Sequence, residues 1–354
     1  VLGDGEVPFL EICRVILTGG ILKSAALPRG CYTKEAAAQA QDFVPYYLPN
    51  MRDLPVPDLS LLGNPLKYKD FLSTQTMGLL STSRGCPFRC RYCRSRSAHY
   101  RPFPIDYVMR CMRAYREWGI QYIEFWDETF NASTKRLNDM AEALANERLD
   151  LEWSIRGAVV NHAPYELLKK LKETGLRLIQ FGVETTQPRL LKILDKRITP
   201  SMVTEAFLNA HRAGLRTVAN LMINIPGQTR EEIINDLEFI RRIDPTYVSI
   251  SVYNWAPDTA LYSEALANGT LTLDYWRQYA QNPIGDEPVH HYVTETTIDE
   301  VYALRDLFLR RYYFRPSYIL PYLVRMSANE WIRALQIAFM MIRSSWKAKK
   351  RGTC

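Results

Sequence analysis

No run of about 18 uncharged apolar residues occurs in the sequence, which excludes an ordinary membrane-spanning helix. The N-terminus lacks the basic, apolar and small-residue succession of a secretory signal. Cysteine is scarce and unevenly spread: the seven are Cys13, Cys31, Cys86, Cys90, Cys93, Cys111 and Cys354. An odd count, with three crowded into eight residues, excludes the evenly spaced framework of a small disulfide-stapled secreted domain. A reducing, cytoplasmic setting fits better. A strong charge of one sign is missing too. Lys and Arg total 45 against 38 Asp and Glu, a net charge of +7. That balance admits an anionic ligand and gives no ground for expecting nucleic acid as a partner. An initiating Met is absent as well, so a chain that opens on Val1 is expected to be a fragment or a processed product.

The residues that are present suit a folded protein. With 354 residues, 47% of them hydrophobic and 23% charged, a sizeable core can be buried. The length suits one large α/β domain with a smaller appendage. Gly3-Asp4-Gly5-Glu6, followed by Phe9-Leu10-Glu11-Ile12, reads as a turn entering a short helix. Pro45, Pro49, Pro55, Pro57 and Pro65 block helix and sheet interiors, so this stretch reads as a linker.

From about residue 78 strands and helices alternate. Three helices carry Pro at the first turn and Gly just past the end: Pro104 to Gly119, Pro164 to Gly175 and Pro200 to Gly214. Each Gly is followed by a strand-like run, at 122–126, 176–183 and 217–225. A further helix is expected at 230–243, where Thr229 and Glu232 have capping-box spacing and Ile233, Leu237 and Ile240 share a face. Other strands are expected at 79–82, 151–155 and 247–252. About six βα units imply a parallel sheet with right-handed crossovers, too few for a closed eight-unit barrel. The expectation is therefore an α/β fold, an open partial (β/α)6 barrel with ligands at the C-terminal ends of the strands. Beyond 297 the sequence turns helical, with aromatic residues Tyr312, Tyr313, Phe314 and Tyr318. A last helix is expected from Ala328 to Lys347, with Trp331, Leu335, Phe339 and Met340 on one face and a tail bearing Lys347, Lys349, Lys350 and Arg351. Two readings stand for it: a packed helix with a solvated basic tail, or peripheral contact with a membrane surface or a lipid-like substrate.

The chemistry concentrates at Cys86-Pro-Phe-Arg-Cys90-Arg-Tyr-Cys93, just after the first strand. One loop can wrap these three thiolates around a compact ligand. Thiolates suit iron–sulfur clusters and zinc alike. Structural zinc normally takes a fourth Cys or His, and His99 lies nearby but without finger-like spacing.

Cys-x-x-x-Cys-x-aromatic-Cys after the first strand of a βα array resembles the radical SAM superfamily. That resemblance implies a TIM-like partial barrel and a 4Fe–4S cluster held by Cys86, Cys90 and Cys93. It implies that the open iron is chelated by the amino and carboxylate groups of S-adenosylmethionine (SAM). One electron then cleaves SAM, and the resulting 5′-deoxyadenosyl radical abstracts hydrogen from a small-molecule substrate. A donor such as flavodoxin or ferredoxin would supply the electron. The resemblance extends to other strand ends. Asp127 and Glu128 lie where the family places acids near the SAM amino group, although the usual Gly-Gly-Glu is absent. Arg156 is placed to pair with the SAM carboxylate, and Tyr92 to set its backbone near the adenine. Gly182-Val183-Glu184-Thr185 is similar to the family's Gly-Val-Glu-Ser stretch, near the ribose and methionine. Residues 221–229, ending Ile225-Pro226-Gly227-Gln228-Thr229, are similar to the turn beside the adenine.

Val1 to Glu6 resembles the close of a cobalamin-binding domain, and Leu54-Pro55-Val56-Pro57-Asp58 the linker that follows one. Arg311 to Pro321 resembles the C-terminal extension of the same branch. The resemblance divides the chain into a cobalamin-domain remnant at 1–40, a Pro-rich linker at 41–77, a radical SAM core at 78–270 and a helical C-terminal extension at 271–354. The Asp-x-His-x-x-Gly signature of the cobalamin fold is absent, so cobalamin is expected of a full-length parent. The branch implies methyl transfer to unactivated carbon, with cyclisation or rearrangement of porphyrin or hopanoid type as the alternative. A non-catalytic metal-binding module is the reading from another class. Too few cysteines follow the triplet for an auxiliary-cluster domain, and Cys111 reads as core. The six arginines at 84, 89, 91, 94, 96 and 101 read either as charge compensation or as a mark of an anionic substrate.

Overall fold

A computed structural model describes residues 1–20, 27–33, 36–37, 43–70, 75–97, 99–281, 297–325, 331, 332 and 335. The chain divides into two compact units, Val1–Pro55 and Val56–Cys354.

In the first unit, helix α1 (Glu6–Leu17) follows a short extended segment. Leu2 N donates to Gly30 O at 2.7 Å, and Asp4 N to Tyr46 O at 2.7 Å, closing a parallel bridge between Gly3 and Tyr46. The Asp4 carboxylate accepts from Leu48 N at 2.7 Å. Phe9, Leu10, Ile16 and Leu17 of α1 are exposed.

The second unit is built on six parallel strands. They are β1 (Met77–Leu80), β4 (Tyr122–Phe125), β5 (Glu152–Ala158), β6 (Leu176–Glu184), β7 (Arg216–Ile223) and β8 (Tyr247–Val252). Their order in the sheet is their order in the chain, so every connection is a crossover to the next strand. A two-residue antiparallel ladder, β2 (Ser83–Arg84) with β3 (Arg101–Pro102), branches off after β1. This is the α/β architecture of a six-stranded TIM-like partial barrel, as expected from the βα count.

The crossover helices bury the faces that their sequences mark. In α2 (Ile105–Glu117), Val108, Cys111, Met112 and Tyr115 recur at helical spacing and are buried. Cys111 is fully buried there, as core. Helix α3 (Thr134–Glu147) lies outside the helices that the sequence pattern marks. Ser133 caps it, accepting from Arg136 N at 3.3 Å. It ends on Arg148 in the left-handed region (φ 47°) instead of on glycine, so the Pro-to-Gly punctuation is missing. Helices α4 (Tyr165–Glu173) and α6 (Pro200–Arg212) fall where the punctuation puts them, and the short α5 (Pro188–Ile193) lies between. Helix α7 (Arg230–Ile243) opens with the expected capping box of Thr229 and Glu232. Trp153, Phe125 and Phe130 meet in the core, with Phe125 and Trp153 ring centroids 5.5 Å apart.

Beyond the sheet lie α8 (Ala260–Ala267), α9 (Tyr275–Gln281), α10 (Ile298–Tyr313) and α11 (Pro316–Arg325). Of the helix expected at 328–347, Trp331 and Leu335 are helical and exposed; Phe339, Met340 and the basic tail lie outside the described residues, as does Cys354. Among the described residues, no helix is long and apolar enough to cross a membrane.

Candidate active site

The cysteine loop leaves the C-terminal end of β1 and is tied down on both sides. Underneath it, Asp127 is buried, and its carboxylate accepts from Thr82 N at 3.0 Å, Thr82 Oγ1 at 2.9 Å and Ser83 Oγ at 2.5 Å. Burial pushes this carboxyl group up from the ordinary aspartate range, against the hydrogen bonds from Ser83 and Thr82 that favour its charge. On the other side, Arg91 N donates to Leu194 O at 2.9 Å and Arg91 Nη1 to Ile193 O at 3.0 Å. The same guanidinium pairs with Glu264 of α8, and Leu261 N donates to Arg91 O at 3.1 Å. The loop is thereby fixed to the loop after β4, to α5 and to α8.

Cys86, Cys90 and Cys93 are half-buried free thiols. Cys93 N donates to Cys90 O at 3.2 Å, which turns the loop tightly between the last two. Cys86 Sγ lies 2.9 Å from Thr129 Oγ1. Burial pushes the Cys90 thiol up to about 11, with Lys196 opposing the rise. A neutral buried thiol of this kind becomes a thiolate when a cation binds it. Among the described residues, no three His, Cys, Asp or Glu side chains converge as a single-ion site requires. Three soft sulfur donors on one loop suit an iron–sulfur cluster.

The three cysteines line a cavity of about 800 Å³ with Tyr92, Glu128, Arg156, Glu184 and Lys196. That volume is in the range of cofactor sites. Seven of the eight residues singled out in the sequence therefore meet in one place. Asp127 is the exception, because its carboxylate is turned away under the loop while its neighbour Glu128 lines the cavity.

Glu184 sits at the end of β6 with φ 64°, beside a shift in the β6–β7 register. A non-glycine residue held in this region marks a position that its surroundings over-determine, often at a functional site. Its Oε1 accepts from Lys196 Nζ at 3.0 Å, and the two side chains are only 16% and 9% exposed. Lys196 Nζ also lies 3.5 Å from Tyr92 OH. Tyr92 packs against a buried cluster that includes Leu190, Leu194, Met222 and Tyr253. Burial and then the Glu184 charge push its phenol well up, so it stays neutral. Gly182 leaves the room for this pair: a Cβ there would stand 3.0 Å from Glu184 Oε1 and 3.2 Å from Lys196 Nζ.

Arg156 is held differently. Its guanidinium lies 4.5 Å from the centre of the exposed Trp126 ring and 3.4 Å from Glu124 Oε1. Glu124 in turn accepts from Trp126 Nε1 at 2.7 Å. Around the loop after β6, the fully buried Asp236 accepts from Thr185 Oγ1 at 2.6 Å and Thr186 N at 2.7 Å, fixing that strand end to α7. Thr229 serves as the helix cap. Lys196, Thr129 and Asp236 went unread in the sequence.

Residues 80–240 match the radical SAM superfamily. An uncharacterized methyltransferase, PH0819, of Pyrococcus horikoshii is 31% identical over 283 residues, covering 79% of this chain and 60% of that protein. The anaerobic magnesium-protoporphyrin IX monomethyl ester cyclase of Cereibacter sphaeroides is 25% identical over 209 residues, covering 57% of this chain and 34% of that protein. The chain thus spans 60% and 34% of the length of these two relatives, less than two thirds of either. Among solved structures, the radical SAM methyltransferase TsrM of Kitasatospora setae superposes with a TM-score of 0.60 at 18% identity, over 76% of this chain and 55% of that one. A radical SAM domain works with a 4Fe–4S cluster and SAM, and soft thiol donors in a cavity of this size fit both. With its six parallel strands, its three-cysteine loop and the match across 80–240, the chain carries a radical SAM domain.

Proposed function

We propose that Cys86, Cys90 and Cys93 hold a 4Fe–4S cluster and that SAM occupies the adjoining cavity, for methyl transfer to an unactivated carbon. The observation that carries this reading is the convergence of the three thiols with Glu128, Arg156, Glu184 and Lys196 on one cavity at the strand ends. A cluster held by these thiols would supply the electron for reductive cleavage of SAM to methionine and a 5′-deoxyadenosyl radical.

This chain's residues bind and orient. Lys196 lines the cavity with its ammonium fixed by Glu184 at 3.0 Å, so it is the cation for the SAM carboxylate. Glu128 is the carboxylate for the SAM amino group. Arg156 lines the same cavity but is stacked on Trp126, which suits it to contact the substrate. Asp127 acts through the loop it anchors.

Methyl transfer follows the name of the Pyrococcus relative. Residues 1–55 contain no histidine, and their described part contributes one longer helix and an isolated bridge, which do not fit cobalamin. In a longer parent, cobalamin would be held by other residues. The Cereibacter relative favours cyclisation as the second reading. We place the reaction in the cytoplasm, with a small-molecule substrate.

Anaerobic reconstitution tests all of this. Uptake of about four irons per chain with reductive release of 5′-deoxyadenosine is the expected result. Methyl transfer also yields S-adenosylhomocysteine, whereas cyclisation yields none. Iron uptake without SAM cleavage would leave only a metal-binding module, and one zinc in place of iron would overturn the cluster.

A further inference from the structure

We propose that the β2–β3 ladder, which closes the base of the cysteine loop, is the docking surface for an acidic one-electron carrier protein. The proposal rests on the cluster reading given above and adds where the electron enters.

The first observation is in the sequence. Residues 71–105 contain six arginines and not one Asp or Glu. The second is in the register: Arg84 stands directly opposite Arg101 across the two-residue ladder. Like charges in facing positions repel and weaken a sheet. The two arginines also bracket the cysteines, Arg84 preceding Cys86 and Arg101 following Cys93.

The third observation separates a substrate from a partner. Arg89 lines the cavity, and Arg91 is tied to Ile193 O and Glu264. Arg84, Arg94 and Arg101 do not line the cavity. An anion that meets these three therefore approaches from outside the cavity, and a substrate lodged inside it does not. Arg84 is held with its guanidinium 5.8 Å from the centre of the Phe103 ring, and Arg101 Nε donates to His99 O at 3.4 Å.

The chemistry fits an external carrier. Each SAM cleavage consumes one electron, which must reach the cluster from another molecule. The carrier's centre is oxidised by one electron as the cluster is reduced by one, and no bond is made or broken in that step. A concentration of positive charge on the loop that would hold the cluster draws an acidic carrier towards it and speeds encounter.

The test uses the reconstituted protein and a flavodoxin reduced to its hydroquinone. In the parent protein, the rate of cluster reduction by flavodoxin should fall by about tenfold or more between about 50 and about 500 mM salt. Arg84→Glu with Arg101→Glu should slow it by about tenfold at low salt and flatten the salt dependence. Reduction by dithionite should stay unchanged, as should iron content. The neutral pair Arg84→Gln with Arg101→Gln should fall between, with an unfolding temperature no lower than the parent's. Flavodoxin reducing the charge-reversed protein as fast as the parent would overturn the proposal. Should the chain load no cluster, the cluster reading fails separately, and flavodoxin binding to the iron-free chain decides the docking surface. Weaker binding by the charge-reversed variant supports the surface, and unchanged binding overturns it.

Discussion

Lys196 and Glu184 form an ion pair at 3.0 Å in the wall of the cysteine-lined cavity, with both side chains largely out of water. Removing one partner of a buried pair leaves the other charge uncompensated, at a cost of about 3–5 kcal/mol. Lys196→Met and Glu184→Gln should each lower stability, and the double variant should lose less than the sum. Urea unfolding of the four proteins measures that coupling. A coupling near zero would show that the two charges act independently. Lys196→Met should also weaken SAM binding to the iron-loaded protein, read from the change SAM makes in the spectrum of the reduced cluster.

Two glycines should respond in opposite ways. A Cβ on Gly157 would stand 2.1 Å from Asp127 O, a backbone atom that cannot move without parting β5 from the loop after β4. Gly157→Ala should therefore destabilise the fold, by an overpacking cost of about 1–3 kcal/mol or more. At Gly182 the nearest atoms are the ends of the Glu184 and Lys196 side chains. Gly182→Ala should stay folded and lose affinity for SAM. Equal unfolding temperatures for the two variants would contradict this division.

Much of this was legible in the sequence, for reasons that are local. Pro104, Pro164 and Pro200 start helices and Gly119, Gly175 and Gly214 follow their ends, because each supplies a backbone conformation that few residues share. Helix α3 escaped because Arg148 takes the left-handed position that glycine usually marks. The spacing of Cys86, Cys90 and Cys93 marked them as a group, and they line one cavity. Lys196 was not legible in this way, since it returns to Glu184 only after α5 has turned the chain back. Asp127 and Glu128 look interchangeable as neighbouring acids at a strand end. Successive side chains there face opposite ways, so one anchors the loop and the other lines the cavity.

His211, in α6, gives the fold a pH dependence away from the site. A ring nitrogen lies 3.1 Å from Thr217 Oγ1. Burial lowers the imidazole below its usual value near 6.5, with Asp244 acting the other way. The folded chain holds the ring neutral where the unfolded chain takes up a proton, so its contribution to stability is present above about pH 6.5. It is lost as pH falls through the lower folded value. The urea midpoint should therefore drop between about pH 7 and about pH 5, and His211→Gln should flatten that part of the profile. An unchanged slope in the variant would assign the drop to other groups.

The cysteines separate by environment, and that makes the ligand set testable one residue at a time. Cys86, Cys90 and Cys93 line the cavity, whereas Cys111 is fully buried on the core face of α2. A cluster held by three thiolates loses a corner when any of them is removed. Cys86→Ala, Cys90→Ala and Cys93→Ala should each fall well below about four irons per chain after reconstitution and lose reductive SAM cleavage. Their folds should survive, because none of the three sits in the packed core. Cys111→Ala deletes one core sulfur atom and should cost about 1 kcal/mol of stability while keeping its iron. Cys13→Ala and Cys31→Ala, in the first unit, should change neither. Iron content, visible absorbance and unfolding temperature, measured on all six, decide the matter. Iron lost with Cys111 but kept without Cys93 would put the cluster elsewhere. Iron lost only with the loop cysteines ties the radical chemistry to the loop that Asp127 and Arg91 hold in place.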